Sequence, residues 1–560
     1  MSQPTPSRTG ARTASLALAC LLLHAAACSQ LSAQSFTIDP NMARKVQAAE
    51  FFISHFYVDS LSEDKVVDDA INGMLKSLDP HSTYVRAQDV ERSTEHLTGS
   101  FEGVGVQFNM VDDTLVVVQP VSGGPCERMG IQAGDRFITV DDTLIAGVKM
   151  SNTEIMRRLR GPKDTQVRIG VKREGVEGES EFVVTRDKIP VYTLDAAYMI
   201  GEGVGYVRLS NFGQTTLGEF REAIASLREQ GMTDLVLDLQ GNGGGYLEAA
   251  QLIANEFLPA GALIVYTDGR AAGRRDYTAR GDGILQDIGL VILVDSYTAS
   301  AAEIVSGAIQ DNDRGWVVGR RTFGKGLVQR PFELPDQSVI RLTVSHYYTP
   351  SGRCIQKSYR LGEQQEYRED ISDRLKSGEL TTDLLDKQLI ESDSALQQLH
   401  RDLFPDSLSR QTLRLARTVY AGGGIMPDVY VPLDTTLQTP LYRQLSAKSC
   451  LLNTSLRYVG RHRQELQAQY PDIETFLNTY EPGDDVVAQL LDEARAKGIT
   501  PDDSALAATL PLAKTVIKAL IARDLWSISE YYQVVNSTNA IYQRGVALAR
   551  QRKALTTTPQ

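Results

Sequence analysis

Apolar and polar residues alternate along the chain with a period that changes from region to region. After the first 35 residues, the stretch NMARKVQAAEFFISHFYV has apolar residues at intervals of three and four, which predicts helices. The region that follows contains short runs with a period of two, which predict strands, and one amphipathic stretch, NTEIMRRLR, which predicts a helix. We therefore expect a helical domain at residues 36–97 and a compact β-rich module at residues 98–188.

Strand and helix patterns alternate between residues 189 and 357. The predicted strands are GVGYVRLSNF, TDLVLDLQ and IGLVILVD, and the helices that follow them are TLGEFREAIASLREQG, YLEAAQLIANEF and SAAEIVSGAIQ. This order predicts a layered α/β core within a chain that is multidomain α+β overall. Sites in such cores are built at strand-to-helix junctions, because strand ends fix the geometry and helix N-termini have unpaired amides.

A polar segment and a helical region follow this core. Residues 358–417 form a polar, charged insertion to which the sequence assigns no role, and residues 418–432 return to the core. Residues 433–560 are helical by pattern, as in LAKTVIKALIARDLW. The pattern leaves three roles open for this extension: it forms a homo-oligomer, docks an adaptor, or covers the core.

Composition and charge narrow the classes of partner. A chain of 560 residues is expected to form about three or four domains. Its net charge of −12 offers no basic surface for nucleic acid. The seven histidines are scattered, and Cys126, Cys354 and Cys450 are too far apart in sequence for a zinc site or a disulfide framework. We expect no metal and no other cofactor.

The N-terminus has the layout of a secretory signal. Arg8 and Arg12 precede the apolar stretch ASLALACLLLHAAAC, which is too short to span a bilayer. We predict a signal peptide at residues 1–33, cleaved after Ala33, and an exported, periplasmic protein; the alternative is lipoprotein processing and membrane anchoring at Cys28. No later segment is expected to be apolar over a length that spans a membrane.

The stretch GRRTFGKG, from Gly319 to Gly326, is one residue short of a phosphate-binding loop. Gly326 stands where that loop requires a serine or threonine hydroxyl. A phosphate loop also needs a helix behind it, whereas LVQRPFELPDQSVIRLTVSHYYT has the alternating pattern of strands. The sequence therefore argues against nucleotide binding and leaves Lys325 available for other chemistry.

Ser300 is a candidate nucleophile, and Lys325 is its candidate base. Ser300 stands where a buried strand ends and a helix begins, so a simple N-cap is the alternative. One helix and one short strand separate it from Lys325, which is enough chain to leave along a helix and return. A lysine activates a serine when burial lowers its pKa from about 10.4 toward about 7 to 8. No carboxylate occurs in GRRTFGKGLVQ that would keep the amine charged.

The β-rich module resembles a PDZ domain. The resemblance rests on GVGV, from Gly103 to Val106, followed by GGPCERMGIQAGDRFITVDD. It implies that Gly103, Val104, Gly105 and Val106 bind the C-terminus of a peptide, with amides facing the carboxylate and a strand edge accepting the peptide backbone. The alternative is that the two glycines only relieve crowding at the start of a strand.

From about residue 70 to 357 the chain resembles the C-terminal processing, or tail-specific, serine proteases. The motifs GMLKSLDPHSTYV, DLQGNGGG, TASAAEI, QDNDRGWVVGRRTFGKGLVQ and YTPSGRCIQ occur in the order of that family. The resemblance implies Ser300 as nucleophile, Lys325 as general base and Gln329 as an amide that orients the lysine. The chain departs from the family at TASAAE, where serines are replaced by Thr298 and Ala302, and at DLQGN, where an arginine is usual.

The resemblance also points to Asp311 as an assisting acid. Eleven residues return Asp311 to the face of the helix that bears Ser300, but about 16 Å along its axis. We therefore expect Asp311 to order the helix end and the 319–326 loop, together with Glu303 and Thr322, rather than to relay a proton.

Together these features predict a serine endopeptidase that cuts proteins or peptides with apolar C-termini. The oxyanion is expected to lie on the amides of Ala301, at the helix start, and Gly244, in the glycine loop. The alternative is a PDZ adaptor on a protease-like core that binds tails without cutting them.

Overall fold

The computed structural model describes residues 39–381 and 405–551. The predicted signal peptide, with Ala33 and Cys28, lies outside the described residues, as do residues 382–404 of the polar insertion. Contacts divide the described residues into two compact units, the first ending at Gly73 and the second beginning at Met74.

The first unit contains helix α1 (Pro40–Phe56) and the start of helix α2 (Glu63–Lys76). Asp39 caps α1 by accepting the main-chain N–H of Asn41, and Pro40 occupies its first turn, where no amide hydrogen is needed. No residue of α1 is buried. The helical prediction for residues 36–97 missed one strand, β1 (Thr83–Val85), which is followed by helix α3 (Ala87–Thr98).

The β-rich module has a six-stranded sheet. Its elements are β2 (Ser100–Gly103), β3 (Val106–Val111), β4 (Thr114–Pro120), α4 (Pro125–Arg128), β5 (Arg136–Val140), β6 (Thr143–Leu144), α5 (Asn152–Leu159), β7 (Gln166–Lys172), β8 (Ser180–Thr185) and β9 (Asp187–Pro190). The sheet order is β3-β4-β5-β7-β8, with β6 beside β5, while β2 pairs with β9. Apolar side chains from this sheet and from α5 form a core of their own.

The central region alternates strands and helices as expected. Its elements are β10 (Leu194–Gly201), β11 (Val204–Leu209), α6 (Thr216–Glu229), β12 (Asp234–Asp238), α7 (Leu247–Asn255), β13 (Leu263–Asp268), β14 (Arg275–Thr278), β15 (Gly289–Val294), α8 (Ala301–Asp311), β16 (Trp316–Gly319), β17 (Leu327–Glu333) and β18 (Val339–Tyr348). The polar insertion and the return to the core add α9 (Gln364–Lys376), β19 (Ser409–Gln411), β20 (Thr418–Tyr420) and β21 (Val429–Tyr430).

Two sheets form the core. The main sheet has the order β10-β11-β12-β15-β16-β21, and all its pairs except β10–β11 are parallel. The second sheet has the order β1-β18-β13-β14, with β17 on β18. Strand β1 was missed because its partner lies at residues 339–341, far outside any local pattern. The α/β class predicted for the core is confirmed.

Both faces of the main sheet are buried. Leu235 and Leu237 point to the side that carries α6, α7 and α8, whereas Val236 between them points to the other side. Helix α16 covers that other side, with Ile541 and Val546 in its core. Burial on both faces explains why the strands read as continuous apolar runs.

The C-terminal extension is helical, as expected. Its helices are α10 (Pro440–Ala447), α11 (Cys450–Gln469), α12 (Ile473–Thr479), α13 (Asp484–Ala496), α14 (Asp503–Leu525), α15 (Ile528–Val535) and α16 (Ala540–Arg550). Helix α14 is long and apolar enough to cross a membrane, contrary to our expectation, but its Ile517 and Ile521 are buried in the core of this helical region. Of the three roles left open, covering the core is seen in α16; an oligomer or an adaptor stays a prediction.

Candidate active site

Ser300 lies at the junction of β15 and α8, where the sequence places it. It is the residue before the helix, so it does occupy the N-cap position, and its carbonyl accepts the N–H of Glu303 at 2.9 Å. Its backbone angles are φ 55° and ψ −118°, whereas an ordinary N-cap has negative φ. Residues held in such rarely populated backbone conformations occur most often at functional sites.

Lys325 lies in an irregular loop between β16 and β17. Strand β17 begins at Leu327, so no helix follows the loop, as expected. The loop amides nevertheless have fixed partners outside the loop: Thr322 N–H donates to Ile425 O, Phe323 N–H to Thr298 O, and Gly326 N–H to Gln356 Oε1. The loop is therefore held by the surrounding fold rather than by its own secondary structure.

Glu303, in the first turn of α8, connects this loop to Ser300. Its Oε2 accepts the main-chain N–H of Ser300 at 2.8 Å and that of Lys325 at 2.9 Å. Its Oε1 accepts the N–H of Gly324 at 2.7 Å and the hydroxyl of Thr322. The structure thus places Glu303 and Thr322 in the ordering contact that the sequence suggested for them.

Tyr347, on β18, makes a second connection between the same two residues. Its phenol oxygen lies 3.0 Å from the carbonyl oxygen of Ser300 and also contacts that of Lys325. The side chain is only 1% exposed, so its buried hydroxyl needs a hydrogen-bond partner, and these two carbonyls supply it. Ser300 and Lys325 are therefore joined through both their amides and their carbonyls.

Burial shifts the pKa of both ionisable groups toward the neutral form. It raises the pKa of Glu303 to about 7, although four hydrogen bonds to the carboxylate act in the opposite direction. It lowers the pKa of Lys325, while the carboxylates of Glu303 and Asp79 act against that shift. The stretch GRRTFGKGLVQ itself contains no carboxylate, but the fold brings in two that are distant in sequence.

The side chains of Ser300 and Lys325 are not bonded to each other here. Among the described residues, no hydrogen bond joins Ser300 Oγ to Lys325 Nζ, and no carboxylate forms an ion pair with Lys325. Catalytic hydrogen bonds are often long before substrate binds, so the backbone arrangement is the more informative feature.

The glycine loop packs directly against the candidate nucleophile. A Cβ built on Gly244 would lie 2.6 Å from the Cβ of Ser300, and Gly244 has φ of 100°. Its amide, however, donates to Oδ1 of Asn242 at 2.8 Å, so it is not available to an oxyanion in this structure. By contrast, the amides of Gly243 and Ala301 have no partner within residues 39–381 and 405–551.

Gln329 contacts a different side chain from the one expected. Its Nε2 lies 3.3 Å from the hydroxyl of Thr343, which in turn donates to Asp79 at 2.9 Å. No hydrogen bond to Lys325 Nζ is described for it. Its role as the amide that orients the lysine stays a prediction.

Asp311 lies at the far end of α8 and is fully buried. It forms an ion pair with Arg353 and accepts both the N–H and the hydroxyl of Ser351, at 2.9 and 2.7 Å. Asp311 therefore orders the turn around residues 349–353. The expectation that it also orders the 319–326 loop is wrong, because its acceptor oxygens are used by this other turn.

The residues of GVGV run from the last residue of β2, Gly103, to the first residue of β3, Val106. The carbonyls of Val104 and Gly105 accept the amides of Cys126 and Val121, whereas their own amides have no partner among the described residues. Within the same part of the chain, β3 pairs only with β4, so its other edge is open. Unpaired amides beside an open strand edge are the features that a peptide C-terminus requires.

Sequence reasoning did not single out three residues near Lys325. Tyr347 belongs to the strand pattern RLTVSHYY, which by itself indicates no role at the site. Asp79 and His81 belong to the family motif LDPHS, but no role was assigned to them. Burial and the charge of Lys325 lower the pKa of His81 to about 4, and its Nε2 lies 2.9 Å from the hydroxyl of Tyr367.

The described residues contain no group of three or more His, Cys, Asp or Glu side chains arranged to hold a metal ion. The site itself presents a hydroxyl, a buried amine, a buried carboxyl and main-chain amides.

Family comparisons match successive parts of the chain. Residues 203–363 match peptidase family S41, residues 103–183 match the PDZ domain, and residues 23–89 match the N-terminal domain of the activating protease CtpB. Residues 441–527 match a family of unknown function.

Individual relatives that match the chain are named as C-terminal processing proteases. The carboxy-terminal processing protease CtpA of Bacillus subtilis is 34% identical over 346 residues, which cover 62% of this chain and 73% of the relative. The carboxyl-terminal-processing protease of Synechocystis is 39% identical over 294 residues, covering 51% and 68%. Among solved structures, the photosystem II D1 C-terminal processing protease is 31% identical, covers 57% of this chain and 91% of its own, and has a TM-score of 0.33.

Proposed function

Since the chain belongs to the carboxy-terminal processing proteases of peptidase family S41, we propose that it cuts through a Ser300–Lys325 dyad and selects substrates by their tails. It is a serine-type C-terminal processing peptidase with a PDZ domain.

In the proposed reaction, the Ser300 hydroxyl attacks a peptide carbonyl carbon while the Lys325 amine takes its proton. The same proton then passes to the leaving amine, and water hydrolyses the acyl-enzyme. Burial favours the neutral amine that this step requires. The unpaired amide of Ala301 is the first donor to the oxyanion, and the glycine loop supplies the second.

One observation gives the main support for the Ser300–Lys325 dyad. Two main-chain amides, those of Ser300 and Lys325, share a single carboxylate oxygen of Glu303. A loop that follows β16 and a helix that follows β15 are therefore tied together at the two residues on which the reaction depends. This arrangement supports the assignment because a lysine with only a structural role has no need of such a link to a strained serine.

Tail recognition is assigned to the PDZ domain. Gly103, Val104, Gly105 and Val106 would hold the C-terminal carboxylate, and the open edge of β3 would add the peptide as a strand. Val104 and Val106 lie in or against the apolar core of the domain, which suits an apolar terminal side chain. Export to the periplasm, by cleavage after Ala33 or by lipidation at Cys28, completes the proposal.

The test compares cleavage of one unfolded protein with two different C-termini. One version ends in apolar residues, and the other ends in two aspartates. We expect the wild type to degrade the first faster, and Ser300→Ala and Lys325→Ala to degrade neither while still binding the apolar tail. Unchanged cleavage by either variant would reject the dyad, and equal rates on both tails would reject tail selection.

A further inference from the structure

The polar insertion contributes a helix to the lysine side of the active site. Helix α9 carries Arg374, whose side chain is 4% exposed. Its guanidinium donates to the main-chain carbonyl of Arg321 at 2.8 Å and to that of Thr322 at 3.2 Å. These carbonyls belong to the loop that carries Lys325.

A buried ion cluster fixes this guanidinium in place. Glu379, just after α9, accepts Nε of Arg374 at 2.9 Å and binds Arg321 through both its oxygens, at 2.7 and 2.6 Å. Arg321 also donates to the carbonyl of Gly423 at 2.6 Å. Removing one member leaves buried charge without its partner, which is more costly than losing an exposed pair.

Helix α9 makes a second contact with the same loop. The Tyr367 ring meets the Phe323 ring edge to face, with centroids 5.7 Å apart. The ammonium of Lys357 lies 3.8 Å from the centre of the Phe323 ring and 4.1 Å from that of Tyr367. Helix α9 is therefore packed on the loop through an aromatic pair as well as through Arg374.

Thr322 shows how the loop is held between two elements. Its hydroxyl donates to Glu303, on the side of Ser300, and its carbonyl accepts from Arg374, on the side of the insertion. No main-chain hydrogen bond is described within this loop, so donors and acceptors outside it decide its conformation. Glu303 fixes the amides of Gly324 and Lys325, and Arg374 fixes the carbonyls of Arg321 and Thr322.

We propose that Arg374 is a positioning residue for catalysis, which holds the Lys325 loop in the conformation that lets the amine reach Ser300. This rests on the proposed dyad. It assigns a role to part of the insertion, which is otherwise an unexplained polar segment. Arg374 touches no reacting atom and acts through the main chain of Arg321 and Thr322.

The experiment measures kcat, KM and the pH dependence of kcat for Arg374→Ala and Arg374→Lys in the full chain. Arg368→Ala is the matched control, because Arg368 lies on the same helix with an exposed side chain. We expect Arg374→Ala to lower kcat by about 10- to 100-fold with little change in KM, since a misplaced base costs transition-state stabilisation. Arg374→Lys, which retains a donor but not the fork, should lie between.

The pH profile separates positioning from mere stability. A loosened loop exposes Lys325 to water, so the acid limb of kcat should move to higher pH in both Arg374 variants. If Arg374→Ala does not fold, Arg374→Lys carries the test. A folded variant with the wild-type kcat and pH profile overturns the proposal, even if it melts at a lower temperature. Activity in Ser300→Ala would instead overturn the dyad itself.

Discussion

The main-chain amides of Ser300 and Lys325 donate to the same oxygen atom of Glu303. Tyr347, on strand β18 of the second sheet, contacts the carbonyls of the same two residues. The catalytic candidates are thus coupled through their backbones, and a change at either connecting side chain should affect both of them.

Replacing Glu303 by glutamine should destabilise the protein. Both oxygens of the carboxyl group now accept hydrogen bonds, whereas the NH2 group of glutamine cannot accept, and each unsatisfied buried donor costs about 1–3 kcal/mol. Urea unfolding measures the loss, with Glu229→Gln as an exposed control.

The same variant should alter the pH dependence of stability. The pKa of Glu303 is raised from 4.5 to about 7 in the folded protein, so its contribution is present at low pH and is lost as the pH rises between these values. The stability difference between wild type and Glu303→Gln should therefore shrink from pH 4.5 to pH 8. A difference that stays constant, or grows, contradicts this.

Alanine should abolish most activity at Gly244 but have little effect at the adjacent Gly243. At Gly244 the new Cβ would lie 2.6 Å from that of Ser300, in a backbone with φ of 100°, so Gly244→Ala should abolish most activity. At Gly243 nothing lies within 4 Å, so Gly243→Ala should keep kcat within about threefold. Steady-state cleavage rates compare the two. Equal effects would show that Gly244 is not packed on the nucleophile.

Removing the Tyr347 hydroxyl should lower kcat more than it raises KM. In Tyr347→Phe, two buried carbonyls lose their shared donor, at a cost of about 1–3 kcal/mol, and the two catalytic candidates lose one of their connections. Tyr348→Phe is the control, because the Tyr348 ring stacks on Tyr266 instead. Similar kinetics in both variants would rule out a role for the hydroxyl.

Asp311→Ala should lower the stability of the folded protein. Asp311 and Arg353 form an ion pair in which both side chains are fully buried, and removing one partner of such a pair costs about 3–5 kcal/mol. Asp373→Ala, which breaks an exposed pair with Lys376, should cost less than about 1 kcal/mol. Equilibrium unfolding measures both. A stable but inactive Asp311→Ala would instead indicate a direct catalytic role.

Much of the fold was accessible from local patterns. The runs TDLVLDLQ and IGLVILVD are strands β12 and β15, and the loop at Lys325 is followed by β17 rather than by a helix. Strand β1 was missed, because three residues carry no period of their own and depend on a partner in β18. Helix α14 is a longer apolar segment than we expected from the sequence, and its Ile517 and Ile521 are buried in a helical core.

The sequence by itself determined that Ser300 begins a helix after a buried strand and that Lys325 stands between glycines before another strand. Those features depend on residues a few positions away, whose spacing sets backbone conformation. Only the tertiary structure decided what surrounds Lys325: Glu303, Tyr347, Asp79 and, through the loop, Arg374. These neighbours come from separate elements, and packing brings together groups whose distance along the chain says nothing about their distance in space.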